Sequence, residues 1–132
     1  MSRFYDIDSA NARLRELRPL LEQLKTDRDR IAETQAELVK FSRTDGDPRH
    51  SEEVQARQEH IRELVRSMHR EVAQIDEWGI ALRDIESGLV DFPALANGRA
   101  IWLCWRFGED DICWWHEQNT GFEGRKPLLE LT

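Results

Sequence analysis

The stretch IWLCWRFGEDDICWWHE, residues 101–117, holds four tryptophans, two cysteines, one histidine and four acids. Those residue types can serve three chemistries. Cysteine beside histidine can form a nucleophile pair, cysteine with histidine and carboxylate can hold a metal ion, and carboxylate with histidine can move protons. The spacing favours none of them. There is no Cys-x-x-Cys, and only His116 stands near Cys104 and Cys113. AIWLCWRF and ICWWHE read as strands, and joining them through GEDD pairs Phe107 with Ile112. Trp105 is then expected opposite Trp114 and Leu103 opposite His116, all on one face. Arg106 with Cys113, Cys104 with Trp115 and Trp102 with Glu117 are expected on the other. That register puts His116 across the sheet from both thiols, which argues against a Cys–His nucleophile; the spacing makes only a weak metal set, and no cofactor is implied. The cysteines read as small, unbridged core residues.

Four polar residues remain as candidates for a site: Asp91, Glu109, His116 and Arg125. Asp91 lies between Val90 and Phe92, where it either caps a turn before Pro93 or pairs with Arg99, Arg106 or Arg125. Arg125, in GFEGRKP, has the fork geometry to clamp a carboxylate or phosphate, and a plain ion pair to Glu109 or Glu123 is the simpler reading.

The elements that would carry these residues follow from periodicity. From Trp78 onward the apolar period approaches 2. GIALRD and LVDF read as strands joined by IESG, the second ending at Pro93, and Asn97-Gly98 is a hairpin turn signal. NTGFEGRKP reads as a loop folding over the sheet. A sheet of about four short strands has few positions for a core, and large indoles can supply it. Each buried tryptophan covers ~150–250 Å², or roughly 4–6 kcal/mol before entropy at ~25 cal/mol per Å². Packing thus accounts for most of the tryptophans.

The first 78 residues read as a helical hairpin. Leu14, Leu17, Leu21, Leu24, Arg28, Ile31, Gln35 and Leu38 step by 3 and 4, as do Val54, Gln58, Ile61, Val65, Met68, Val72 and Ile75. Helices are expected over about 9–42 and 48–77, capped by Ser9 (or Asp8) and Asp47-Pro48, with a turn at about 43–47. Pro19 either kinks the first helix or begins it. Antiparallel pairing about that turn joins positions summing to about 89, or to 96 after a one-heptad shift. The seam is expected dry near the termini and polar near the turn. The fold class is therefore α+β: a long coiled-coil-like hairpin over 1–78, then a Trp-rich antiparallel sheet module over 79–132.

Charged residues make up 34% of the chain and the net charge is −7, which suits well-solvated helices. Residues 1–78 carry 14 basic and 17 acidic side chains, and residues 79–132 carry 5 and 9. Neither part offers the basic face that nucleic acid or an anionic membrane requires. No signal-like or membrane-spanning apolar run is present, and two thiols without a disulfide framework suit a reducing compartment, so a cytoplasmic protein is expected.

GLVDFP (88–93), LCWRFGE (103–109), WHE (115–117) and GFEGRKPL (121–128) follow one another in the order that resembles the bacterial family catalogued as domain of unknown function 2203. The resemblance is specific over 88–128 and looser in the helices. It implies a small soluble bacterial protein with no assigned activity, and marks Asp91, Cys104, Glu109, His116 and Arg125 as its polar motif positions. Two readings follow. The preferred one is a non-enzymatic interaction module whose hairpin forms a homodimer or binds another protein. The other is a small enzyme or metal-binding protein with its site on the sheet face around His116, Asp91, Glu109 and Arg125.

Overall fold

A computed structural model describes residues 4–42 and 49–131. Two long helices, α1 (Ile7–Ser42) and α2 (His50–Glu77), lead into a five-stranded antiparallel sheet. Its strands run in chain order: β1 (Ala81–Asp84), β2 (Leu89–Ala96), β3 (Arg99–Arg106), β4 (Trp114–Glu117) and β5 (Lys126–Pro127). The fifth strand lies in the segment expected as loop. The expected turn at 43–47 and the Asp47-Pro48 cap fall outside the described residues.

Helix α1 begins three residues earlier than a Ser9 cap implies. Asp6 is the capping residue: its Oδ1 accepts the Ser9 N–H at 2.7 Å, and Ser9 Oγ accepts the Asp6 N–H at 3.0 Å. This reciprocal pair satisfies two donors at the helix start. The same contacts hold the Asp6 carboxyl below its ordinary range. Pro19 lies inside the continuous helix, exposed, so it does not begin it.

The helices bury a 3.6-residue stripe rather than a strict heptad seam. Leu14, Leu17, Leu21 and Leu24 are buried as expected, but Asp27 replaces Arg28 and Thr34 replaces Gln35. On α2 the buried positions are Leu64, Glu71 and Ile75; Ile75 keeps its expected place, whereas Val65 is half-buried and Val72 exposed. An untwisted helix drifts about 20° per heptad, so the buried face moves by one residue over this length. Arg28 instead faces solvent and reaches Glu86 at 3.5 Å. The helix pairing follows Asp27 with Glu71 and Glu37 with Arg57, which sum near 96, the shifted register.

The sheet packs one face on the hairpin. Val90, Phe92, Ala94, Ile101, Leu103, Trp105 and Trp115 join Leu14, Leu17, Leu21, Leu24 and Ile75 in one core. Tyr5 pins the far edge. Its ring meets Phe92 edge-on at 5.1 Å, its N–H donates to the Pro93 carbonyl at 2.7 Å, and its hydroxyl donates to the Trp78 carbonyl at 2.5 Å. This explains why Pro93 does not end β2. Its carbonyl points away from β3, so its missing N–H would point the same way and no ladder bond is lost. Asn97 and Gly98, at φ 52° and 76°, make the expected tight turn into β3.

Candidate metal centre

The β3–β4 register differs from the expected one by a single residue. Trp102 pairs with His116, Leu103 with Trp115, and Cys104 with Trp114. The connection is not a tight GEDD turn. It runs from Phe107 to Cys113 and is fastened to α1 and β3: Asp110's carbonyl accepts from Arg18 at 2.6 Å and from the Trp105 indole at 2.9 Å, and Asn11 Oδ1 accepts the Ile112 N–H at 2.8 Å. A one-residue slip reverses every side chain of a strand. His116 therefore shares a face with Cys104, and Trp105 and Trp115 share the core face. The expected pairs Phe107–Ile112, Trp105–Trp114, Leu103–His116 and Cys104–Trp115 are replaced.

That outer face holds Asp91 on β2, Cys104 on β3 and His116 on β4. They are 3%, 1% and 2% exposed. Asp91 lies directly opposite Cys104. The small thiol leaves room for Asp91 and His116 to meet above the middle strand, where Oδ1 and Nε2 are 3.0 Å apart. The oxygen, sulfur and nitrogen ligand atoms all lie within 4.8 Å of one another.

The surroundings fix each group. Nδ1 of His116 is 2.8 Å from the Glu117 carbonyl, which can only accept, so Nδ1 carries the proton and Nε2 faces the cluster. Arg83, turned outward at an irregularity in β1, donates through Nε to Asp91 Oδ2 at 2.9 Å and stacks over Trp102 at 4.9 Å. Burial and the Asp91 charge push the Cys104 thiol up to about 12, against a smaller opposing pull from Arg125. Cys104 is thus a neutral thiol in this arrangement, and both ring nitrogens of His116 are engaged elsewhere. A Cys–His nucleophile, which needs a thiolate and a free imidazole nitrogen, is not what these contacts build.

The four residues singled out by sequence fall into two pairs. Asp91 and His116 are in direct contact. Arg125 and Glu109 form a separate pair at 2.6 Å, with the guanidinium 4.6 Å from the Trp114 ring and 4.5 Å from Phe122. The partner is one of the two expected for Arg125, but the pair is largely buried rather than at the surface. It fastens the 107–113 connection to the segment before β5, and Cys104 sits within the electrostatic reach of both pairs. The spacing left Cys104 out of the candidate site, although the family resemblance marked it, and gave no sign of Arg83. The alternation 102, 104, 106 was visible, but its phase against β4 depended on the length of the 107–113 connection.

A concave pocket of about 400 Å³ lies over the cluster, walled by Arg83, Leu89, Phe122 and the 118–121 segment, whose Gln118, Asn119 and Thr120 add polar groups. The expected loop over the sheet is therefore present and forms one wall of this opening. Cys113 lies outside it, exposed, and neither cysteine is bridged. No helix among the described residues is long and apolar enough to cross a membrane.

A family model described as "Uncharacterized conserved protein (DUF2203)" matches residues 3–128, and the chain belongs to that family. No curated protein and no solved structure matches it.

Proposed function

We propose that this member of the DUF2203 family binds a zinc-class divalent ion through Asp91, Cys104 and His116, with a fourth position open to the pocket. The observation that carries this reading is the convergence of one oxygen, one sulfur and one nitrogen ligand, from three adjacent strands, on one buried point beneath an opening. Tetrahedral zinc with bonds of about 2.0–2.3 Å holds its ligand atoms roughly 3.3–3.6 Å apart, so the observed cluster needs only small side-chain rotations. The Nδ1 proton of His116, held by the Glu117 carbonyl, is the outer contact that metal-bound histidines use to fix their tautomer. Arg83 steadies Asp91 in the same way.

Three protein ligands and one open position are the pattern of a site that binds a further molecule, rather than of a closed structural zinc. Charge indicates its class. The ion, the Cys104 thiolate and the Asp91 carboxylate cancel, and Arg125 is neutralised by Glu109. Arg83 leaves the pocket net positive, so a small anion such as a carboxylate or phosphate suits it. Binding the ion displaces the Cys104 proton.

Cobalt(II) titration tests the reading. One equivalent is expected to give an intense near-ultraviolet thiolate-to-metal band that Cys104→Ser abolishes and Cys113→Ser retains. A wild-type spectrum without that band, or one that Cys104→Ser leaves unchanged, would falsify the assignment.

A further inference from the structure

The seam between α1 and α2 buries a second polar cluster, remote from the sheet. Asp27 is 4% and Glu71 8% exposed, and their carboxyls face each other across the helices. Gln23 donates to Asp27 Oδ1 at 2.8 Å. Among the described residues, Asp27 Oδ2 and Glu71 Oε1 have no hydrogen-bond partner. Two ionised carboxylates cannot hydrogen-bond each other, since neither has a donor. One proton changes this: it turns one orphaned oxygen into a donor and the other into its acceptor.

The charged groups around the pair do not replace that proton. Arg70, on α2 itself, acts on Glu71 only at a distance and opposes the raising effects. Arg28, next to Asp27 on α1, is turned out to Glu86 in the turn after β1. No ion pair to Asp27 or Glu71 occurs among the described residues. Like charges buried together favour one protonated member.

We infer that Asp27 and Glu71 share a single proton and make the hairpin a pH-sensitive latch, closed when the proton is held and loosened when it leaves. The electrostatics agree in direction: burial and Asp27 raise Glu71 from 4.5 to about 7. The folded chain then holds a proton that the unfolded chain has released between those values. Stability from this pair is full below about 4.5 and falls as pH rises through about 7. Within the window the folded-to-unfolded ratio changes by up to about tenfold per pH unit.

The test is thermal unfolding of the full chain, wild type against Glu71→Gln and Asp27→Asn, from about pH 4 to about pH 8.5, across the window. An amide supplies a permanent donor. The wild type is expected to lose Tm relative to Glu71→Gln as pH rises, leaving the variant the more stable at the alkaline end. Parallel profiles would overturn the latch. If both variants fail to fold, the carboxyl carbon-13 shift of Glu71 in the wild type decides: a midpoint near 7 supports it and one near 4.5 overturns it. Millimolar calcium that closes the wild-type gap at high pH would also overturn it, because a cation rather than a proton would then join the carboxyls.

Discussion

Both halves of this molecule bury carboxylates, and they accommodate them by opposite means. On the outer sheet face Asp91 is met by Arg83 and His116, and Glu109 by Arg125. In the helical seam Asp27 and Glu71 meet each other, supported by the Gln23 amide. The sheet sets charge against charge, Asp91 against the Arg83 guanidinium and Glu109 against Arg125. The seam compensates charge by suppressing it, so its stability depends on a proton. The difference arises from geometry. Three adjacent strands bring unlike residues to one point, whereas two antiparallel helices offer a narrow stripe in which the drift of the buried face draws acids inward in place of Arg28 and Val72.

The contrast can be broken most forcefully on the sheet. Asp91→Ala removes the partner of both His116 and Arg83, and a loss of about 3–5 kcal/mol is expected in urea unfolding. A loss under about 1 kcal/mol would mean that the network is not acting as compensated charge. Gly88→Ala sharpens the sheet side by shape alone. Gly88 has φ +65°, and an added Cβ would stand 2.5 Å from Phe107 Cβ, so a cost of about 2–3 kcal/mol is expected.

The seam predicts the opposite sign. Glu71→Gln is expected to stabilise the chain by of order 1–3 kcal/mol near pH 8 and by little near pH 5. An equal effect at both would erase the distinction between the two regions. At the small end stands Arg28→Ala. Its pair with Glu86 is exposed and long, so a change of less than about 0.5 kcal/mol is expected from denaturant midpoints.

Much of the architecture was legible because it rests on local rules. The switch from a helical to a two-residue period near Trp78, the Asn97-Gly98 turn and the leucines of α1 each fix structure within a few residues. The outer-face residues were legible only in part, and their arrangement was not. Asp91, Glu109, His116 and Arg125 all lie in or beside the outer-face network. Their grouping depended on whether Phe107 pairs with Ile112, and that depends on long-range bonds from Arg18 and Asn11, which no local pattern encodes. The same one-residue sensitivity hid Asp27 and Glu71. A strict heptad placed Arg28 and Val72 inside, and only the packed helices reveal that the buried face drifts.

If Asp91, Cys104 and His116 form a prepared metal centre, the metal-free protein takes up zinc at that point. Isothermal titration of metal-free protein with zinc tests it most directly. One zinc per chain is expected for the wild type, with proton release that varies between buffers of different ionisation enthalpy, and no specific uptake for His116→Ala. Binding that survives in His116→Ala, or no binding by the wild type, would contradict it.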